Sequence, residues 1–294
     1  MLNRWIGILS VAAMLFANAA LFTHEILPEW FSGDPPANPN LQLGPDQQRR
    51  VQVGIFDKTG RNVGRSWTTA GRAAALTDVT VRTFLDVLAL PGGLRTPQAL
   101  IEISLQYQNS AGVVDELQLD VLGLGIPISL HGESIPPGEF PCRWRIGDEQ
   151  GTLYLRADAT RALGDVIRPF DELPNLYVGR TWRLRLVNPL SQLTPGLTAD
   201  ALAVESVLVR VRGLERIEHD GRSVEAFRVE APGAVAWVLP EGRVVRQVVQ
   251  LPILGELTLR AEDFDEDEMN RVAARFDRST VHRDKPDSVR WGGD

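Results

Sequence analysis

The chain of 294 residues contains a single cysteine, Cys142. One cysteine cannot form an internal disulfide, so an exported chain of this kind must be stabilised by packing. A lipid anchor is excluded as well, because it needs a cysteine directly after an apolar leader, and none stands there. We interpret Cys142, which follows Pro141 and precedes Arg143, as a small buried side chain. An intermolecular bridge or a reactive thiol is the alternative.

Common catalytic and cofactor-binding motifs are also missing. The sequence has no GxSxG elbow, no glycine loop that cradles phosphate, no HExxH and no CxxC. A triad or a metal site would need the scattered histidines to converge by folding; these are His24, His131, His219 and His282. The sequence therefore predicts no catalytic residue, no cofactor-binding residue and no metal ligand.

An excess of positive charge is a third absence. Lysine and arginine together number 31, against 38 aspartate and glutamate residues, and the formal net charge is −7. A protein that binds nucleic acid needs a basic face to contact the phosphates. We therefore expect no nucleic-acid partner.

The acidic run 262–268 comes nearest to a metal-binding motif. Asp263, Asp265 and Asp267 occupy the first, third and fifth positions of a calcium loop. The sixth position, however, is Glu268 instead of glycine, and the twelfth is an alanine instead of a bidentate acid. We interpret the run as the solvated start of a helix.

Helical periodicity follows directly after this run. Apolar residues fall at i, i+3, i+4 and i+7 from Met269 onward, with acidic residues before them and arginines toward the end. The pattern predicts an amphipathic helix over residues 265–278. The charged residues 279–294 are predicted to form a disordered tail.

One long apolar run is present, from Trp5 to Thr23, and its nineteen residues include no charge. As a helix it would be about 28 Å long, close to the thickness of the hydrocarbon core of a bilayer. Arg4 precedes the run and acidic residues follow it, so the positive-inside rule leaves the N-terminus in the cytoplasm and exports the rest. Residues 1–31 are therefore predicted to be a single-pass membrane anchor.

A cleaved signal peptide is the alternative for the same residues. The tripeptide Ala17-Asn18-Ala19 fits the small-x-small pattern that signal peptidase requires. Apolar residues continue beyond it through Phe22, which favours retention. The module would be held at the outer face of the cell membrane if the segment is kept, and would be secreted or periplasmic after cleavage near Ala19.

Strand patterns begin after residues 32–50, which are rich in proline, glycine and asparagine and indicate an extended linker. In the run ALIEISLQYQ, which starts at Ala99, apolar residues alternate with polar ones from Ile101 to Gln108. This period of two indicates strands with one buried face. The dipeptide Asp220-Gly221 between two such runs predicts a hairpin.

Tryptophan numbers seven in this chain. Trp67, Trp182 and Trp237 lie in strand-like patterns. We interpret these three as core residues and not as platforms for sugar binding.

Two pairs of similar segments indicate an internal repeat. The sequence VGRSW at 63–67 recurs as VGRTW at 178–182, and residues 110–130 are similar to residues 240–260 without a gap. A turn glycine, an apolar alternation and a Leu-Gly step before another strand would describe one unit used twice. Chance similarity among valine-rich strands is the alternative.

The predicted fold is therefore mainly β. We expect one or more curved antiparallel sheets built from two related repeats, residues 51–139 and 176–264, with a bridging segment at 140–175. One N-terminal transmembrane helix and one short C-terminal helix complete the prediction.

The VGRSW and VGRTW strand starts, the repeated G-x-x-x-x-x-L turns and the stretch AWVLPEGRVVRQ resemble exported β-rich envelope proteins of unknown function. Their sheet is similar to that of the lipoprotein-carrier proteins, in which a curved sheet shelters an acyl chain. The resemblance covers roughly residues 51–263 and matches no binding motif, so it implies a fold and no site residues. A retained membrane segment would depart from a soluble, shuttling carrier.

Two functions are open at this point. The first is a membrane-anchored extracytoplasmic module, without catalysis or cofactor, that binds an apolar ligand or an envelope protein. The second is a cell-surface enzyme, or an accessory segment of one, that hydrolyses peptide or glycan. The second requires His131, His219 and nearby acids to come together in the fold.

Overall fold

The computed structural model describes residues 32–36, 43–73, 76–87, 95–108, 113–135, 139–155, 172–187, 204–251 and 255–276. The predicted membrane anchor, 1–31, and the predicted tail, 279–294, lie outside these ranges. Within them, no helix combines the length and the apolar character needed to cross a bilayer.

The described residues form one antiparallel sheet of 14 strands. The strands are β1 (Gln48–Asp57), β2 (Asn62–Ala73), β3 (Leu76–Leu85), β4 (Ala99–Gln108), β5 (Val113–Leu122), β6 (Ile128–Glu133), β7 (Phe140–Ile146), β8 (Glu149–Leu155), β9 (Thr181–Val187), β10 (Val204–His219), β11 (Arg222–Ala231), β12 (Ala234–Val238), β13 (Val244–Leu251) and β14 (Gly255–Glu262). Their order is β8-β7-β6-β5-β4-β3-β2-β1-β14-β13-β12-β11-β10-β9. Two meanders therefore join along β1 and β14, and the predicted mainly β fold is confirmed.

Alternation along the strands separates the two faces of the sheet, as the sequence predicts. In β4, Leu105 and Tyr107 are buried, while Gln106 between them belongs to the opposite face. The β10–β11 hairpin turns at Asp220 and Gly221, whose φ angles are 51° and 70°. Both angles lie in the left-handed region that a tight hairpin turn requires, so the predicted hairpin is confirmed.

Most of the core lies on one face, which we call the inner face. It holds one apolar cluster in each meander and a smaller one around Ile55 and Leu257, where the meanders join. The first cluster includes Ala70, Val79, Leu105, Leu117, Phe140 and Cys142, and the second includes Trp182, Leu184, Val209, Val211, Val229 and Val238. Leu43 packs against the first cluster and Leu173 belongs to the second. Segments outside the strands therefore help to cover the inner face.

The opposite face, which we call the outer face, carries α1 (Glu266–Ala273). Asp265 caps this helix, because its side chain accepts a hydrogen bond from the backbone N–H of Glu268. The helix packs on the sheet through a small apolar cluster of Met269, Val272, Trp67, Leu100 and Leu122. The predicted short C-terminal helix is confirmed, although it ends at Ala273 and not at residue 278.

The predicted linker, residues 32–50, contacts the sheet at several described positions, and its last three residues belong to β1. The backbone N–H of Gly33 donates to the carbonyl of Thr181 at 2.9 Å, so residue 33 forms a parallel bridge with edge strand β9. Further on, the carbonyl of Leu43 accepts a hydrogen bond from Nη1 of Arg72 at 3.0 Å. At these two positions the segment is bound to the module, once by a backbone group of β9 and once by the side chain of Arg72.

The strand order does not show the predicted repeat. Residues 63–67 begin β2 and residues 178–182 lead into β9, whereas the second similar segments contain β5 and β13. β5 comes three strands after β2 in a meander, so the two run in opposite directions. β13 comes four strands after β9, so those two run in the same direction. The similar sequences therefore describe local strand and turn patterns in positions that are not equivalent.

The predicted bridging segment, 140–175, contributes to the sheet itself. Residues 140–155 contain β7 and β8, which form one edge of the sheet. Residues 172–175 lie against the β12–β13 turn, where the N–H of Leu173 donates to the carbonyl of Gly242 at 2.7 Å. The residues between these two parts are outside the described ranges.

Candidate functional site on the outer face

A row of arginines crosses the outer face from β11 to β2. Residues that stand directly opposite each other in antiparallel strands share a face, and here the register is continuous over six strands. The row, which we call the arginine row, consists of Arg228, Trp237, Arg246, Arg260, Gly54 and Arg65. It brings together residues that are distant in the sequence.

The β11 end of the arginine row is neutralised by carboxylates. Nη1 of Arg228 donates to Glu215 at 3.0 Å, and Nη2 lies 2.8 Å from Glu230. Nε1 of Trp237 donates to the second oxygen of Glu215 at 2.9 Å. The hydrogen bonds from Trp237 and from Arg228 hold the pKa of Glu215 below its usual value. Glu215 is therefore ionised at neutral pH, and Arg228 is paired.

The β2 end of the arginine row is neutralised in the same way. Nε of Arg65 donates to Oε2 of Glu262 at 3.0 Å, and Nη1 donates to Glu268 on α1. Glu262 also accepts a hydrogen bond from Nε2 of Gln52 at 3.0 Å. These contacts connect the helix to the outer face.

Gln52 is at the centre of the hydrogen bonds at the β2 end of the arginine row and is only 4% exposed. Its Oε1 accepts two hydrogen bonds of 2.8 Å, one from Nε1 of Trp67 and one from the backbone N–H of Asp265. Its amide nitrogen donates to Glu262. A buried amide that satisfies three neighbours stabilises the start of α1 against the sheet.

The two arginines in the middle of the row differ from those at its ends. The guanidinium carbon of Arg246 lies 4.9 Å from the centre of the Trp237 ring, and that of Arg260 lies 4.8 Å from the centre of the Phe56 ring. Within the described ranges, no carboxylate forms an ion pair with either arginine. Both side chains are exposed. Two unneutralised positive charges therefore face each other across β13 and β14.

A glycine and two valines are among the neighbours of this pair on the outer face. Gly54 follows Arg260 in the row, and a side chain there would collide with the carboxylate of Glu262 and the ring of Phe56. On the side of the β11–β12 turn, the next residues on the same face are Val235 and Val248, which stand opposite each other and are partly exposed. Two partly exposed valines therefore lie beside the arginine row, between Glu230 on β11 and Thr258 on β14.

Two depressions lie beside α1, and Arg65 and Glu268 line both. The larger has a volume of about 660 Å³ and is otherwise lined by Gln52 and the acidic run 262–267. The smaller has a volume of about 160 Å³, and its walls include Trp67, Phe84, Arg271 and Arg275. Serine, cysteine and histidine are absent from the residues that line these two depressions. Neither offers a nucleophile with a histidine base beside it.

The histidines of the described ranges do not converge. His131 lies on β6 and His219 at the end of β10, ten positions apart in the strand order. Nδ1 of His131 is 3.9 Å from Glu116, and Nε2 of His219 is 3.3 Å from the adjacent Asp220. His24 and His282 are outside the described ranges. The constellation that an enzyme would require is thus not formed by His131 and His219.

The structure also locates the other residues that the sequence singled out. Cys142 is fully buried in the first inner-face cluster, and burial raises the pKa of its thiol to about 12. Asp265 is occupied as the cap of α1. Among the described residues, no group of three or more histidine, cysteine, aspartate or glutamate side chains could hold a metal ion.

Two of the three tryptophans are core residues, as predicted. Trp67 and Trp182 are each 1% exposed. Trp237 is partly exposed on the outer face below Arg246, where it packs against the buried cluster of Ala226, Leu239 and Val245. Periodicity could not choose its face, because both alternating sets of β12 are apolar: Val235 and Trp237 share one face, and the alanines and Val238 occupy the other.

Comparison with known proteins gives one distant structural likeness. No family model matches the sequence, and no curated protein matches it. A solved structure with a similar chain path is a β-barrel-like protein of the domain of unknown function DUF1849 from Brucella abortus. Its TM-score is 0.40 and its sequence identity 9%, and the match covers 74% of this chain and 96% of that one. This likeness is too weak to transfer any property, and it shows no link to lipoprotein carriers.

Proposed function

We propose that the chain is a membrane-anchored extracytoplasmic β module that acts as a non-catalytic binding or scaffold protein of the cell envelope. The observation that carries the proposal is the contrast between the two faces of the sheet. The inner face is filled by side chains of the chain itself. The outer face presents the unneutralised pair Arg246 and Arg260. Binding at the outer face is therefore the function that this geometry supports best.

The filled inner face argues against a carrier of acyl chains. Leu105 and Val211 are each 1% exposed and Leu173 is 3% exposed. An ion pair of 2.6 Å between Nη2 of Arg49 and Oε2 of Glu172 ties the segment of Leu173 to β1. An acyl chain would have to displace such side chains, and re-exposing each buried leucine costs about 1.5–3 kcal/mol. An envelope protein or the membrane surface is the better-supported partner.

The separation of the histidines argues against a hydrolase. A general base must lie within hydrogen-bond reach of the group it serves. Among the described carboxylates, His131 forms its one close contact with Glu116 and His219 with Asp220. The cell-surface enzyme therefore has no specific observation in its favour.

The bound linker supports a position close to the bilayer. Gly33 is fixed to β9, and the predicted anchor ends only two residues earlier. An extended chain covers at most about 3.6 Å per residue, so an anchor ending at residue 31 would emerge within about 7 Å of Gly33. The β9 side of the sheet would then be the side next to the membrane.

Fractionation of the full chain tests the proposed anchor. A C-terminally tagged chain is expressed in a bacterial host, and its membranes are washed with alkaline carbonate before detergent extraction. We expect the protein to stay in the pellet until detergent is added, with an intact N-terminus and a protease-accessible module. Release by carbonate of a chain that begins at Ala20 would contradict the anchor. The variant Ala19→Leu, which blocks cleavage, is the control and should behave like the parent.

Lipid analysis of the same preparation tests the filled inner face. Mass spectrometry after detergent exchange should find no lipid in a one-to-one ratio with the protein. A stoichiometric acyl lipid would instead support the carrier interpretation, because the inner face is where such a chain would have to lie.

A further inference from the structure

We infer that Arg246 and Arg260 form a site for the phosphate of an anionic lipid headgroup at the membrane surface. The inference rests on the proposed function for the location of the module, and on the strand register for the site. It names the partner that the outer face contacts.

Charge is distributed unevenly along the arginine row. Arg228 and Arg65 each contact two carboxylates. Arg246 and Arg260 have no such partner in the described part of the chain. Like charges directly opposite each other in a sheet are destabilising. In a protein of net charge −7, this pair is therefore a local positive site that a bound anion would neutralise.

An aromatic ring lies below each of the two arginines. Arg246 lies over Trp237 and Arg260 lies over Phe56, both at stacking distance. Stacking occupies one flat side of each guanidinium and leaves its N–H edges available as donors. The guanidinium fork matches the oxygens of a phosphate in two parallel hydrogen bonds. Opposite residues in antiparallel strands are about 5 Å apart at Cα, so both groups can reach one phosphate.

The apolar neighbours favour a lipid over a free phosphate ion. Val235 and Val248 stand in the adjacent row on the same face, between Glu230 and Thr258, and both valines are partly exposed. Free phosphate gains nothing from such contacts, whereas the glycerol and upper acyl region of a lipid is removed from water by them. A lipid can contact the two arginines with its headgroup phosphate and the two valines with its attached chain.

The position of the N-terminal segment favours the same partner. Gly33 is bound to β9, and β13 and β14 are four and five strands away. At about 4.8 Å per strand, the distance along the sheet is about 19–24 Å. Gly33 and the two arginines thus belong to the same half of the sheet, so an anchor that ends at residue 31 would bring both near one membrane surface.

Arginine modification in lipid nanodiscs tests the inference. The full chain is placed in discs of phosphatidylcholine alone or of phosphatidylcholine with phosphatidylglycerol, and phenylglyoxal labelling is followed by peptide mass spectrometry. We expect the labelling of Arg246 and Arg260 to slow by about five-fold or more in the anionic discs, because the phosphate occupies their N–H edges. Arg143, an exposed arginine on the outer face of β7, is the internal control and should change by less than about two-fold.

Two further arms separate the sources of the effect. Inorganic phosphate added to phosphatidylcholine discs should protect Arg246 and Arg260 less than phosphatidylglycerol does; equal protection would overturn the headgroup assignment in favour of a free anion. The variant Phe56→Leu keeps every charge but removes the stacking below Arg260, and should reduce the protection of that arginine. Equal slowing at Arg143, or no slowing anywhere, would overturn the site.

The outcome is distinguishable from a failure of the proposed anchor. A chain that begins at Ala20 and does not enter the discs would contradict the anchor alone. The site is then tested on that mature chain by co-sedimentation with vesicles of the same two compositions. Selective loss of binding in the double variant R246Q/R260Q, but not in R143Q/R145Q, would support the site, and equal behaviour of both variants would overturn it.

Discussion

Arg246 and Arg260 stand directly opposite each other on β13 and β14, and each lies over an aromatic ring of the next strand instead of beside a carboxylate. Trp237 on β12 and Phe56 on β1 therefore flank the pair on both sides. Both ends of the arginine row are neutralised, whereas its centre is not. This contrast makes the centre of the row the most distinctive feature of the outer face.

Repulsion between these two arginines can be measured by a double-mutant cycle. The variants Arg246→Gln and Arg260→Gln and their combination are unfolded in urea at low ionic strength. We expect an unfavourable coupling between the two positions of about 0.2–1 kcal/mol, the usual size for like charges in opposite positions of a sheet. In 1 M salt, where the Debye length is about 3 Å, the coupling should nearly vanish. A favourable coupling, or one independent of salt, would contradict the assignment.

Gln52 is predicted to be a major source of stability for the contact between α1 and the sheet. Gln52→Leu leaves the buried N–H of Trp67 and the first backbone N–H of the cap without their acceptor. We expect a loss of about 2–3 kcal/mol in the free energy of unfolding, because each unsatisfied buried donor costs about 1–3 kcal/mol. Urea denaturation followed by tryptophan fluorescence measures the change.

Gln250→Leu is the matched control for this substitution. Gln250 is exposed on β13, and its side chain donates a hydrogen bond to Glu256 at 2.9 Å. The same chemical change should alter stability there by no more than about 0.5 kcal/mol. If both variants lose the same free energy of unfolding, the loss comes from placing leucine in a strand and not from removing the hydrogen bonds of Gln52.

Cys142 is predicted to be unreactive in the folded protein. Burial raises the pKa of its thiol from 9.0 to about 12, so at pH 8 roughly one molecule in ten thousand carries the thiolate. We expect no measurable reaction with Ellman's reagent over hours, and full reaction in guanidinium chloride. Thr152→Cys, which places a thiol at an exposed position of β8, should react within minutes.

The raised pKa of Cys142 makes the folded protein less stable at alkaline pH. The unfolded thiol loses its proton near pH 9, while the folded thiol keeps it until about pH 12. Between these values the unfolded state binds fewer protons, so the contribution of Cys142 to stability is complete below pH 9 and is lost as the pH rises toward 12. Cys142→Ser should reduce this alkaline destabilisation, and an unchanged pH profile would contradict the assignment.

Local patterns predicted the elements of the fold because they depend on neighbours in sequence. The alternation in β4, the turn at Asp220 and Gly221 and the amphipathic pattern around Met269 all correspond to elements in the structure. The predicted repeat was not found, since similar segments can serve in strands that run in opposite relative directions. The bound linker was missed because its partner, Thr181, is far away in the sequence.

The arginine row could not be predicted for a related reason. Arg246 and Arg260 belong to neighbouring strands, but their pairing depends on a register that β13 and β14 share with β12 and β1 on either side. Sequence alone also could not show which arginines have carboxylate partners. Glu262, for example, lies two residues from Arg260 and yet pairs with Arg65 on β2.

The sequence by itself determined the strand content, the acidic balance and the absence of an internal disulfide, because these follow from composition and from periodicities of two and 3.6 residues. It also carries the prediction of a membrane anchor, which stands on an uncharged apolar run. Only the tertiary structure decided that β1 pairs with β14, and hence that residues about 200 positions apart form one row. Register is a collective property of many strands, and it is the register that places Arg246 and Arg260 opposite each other.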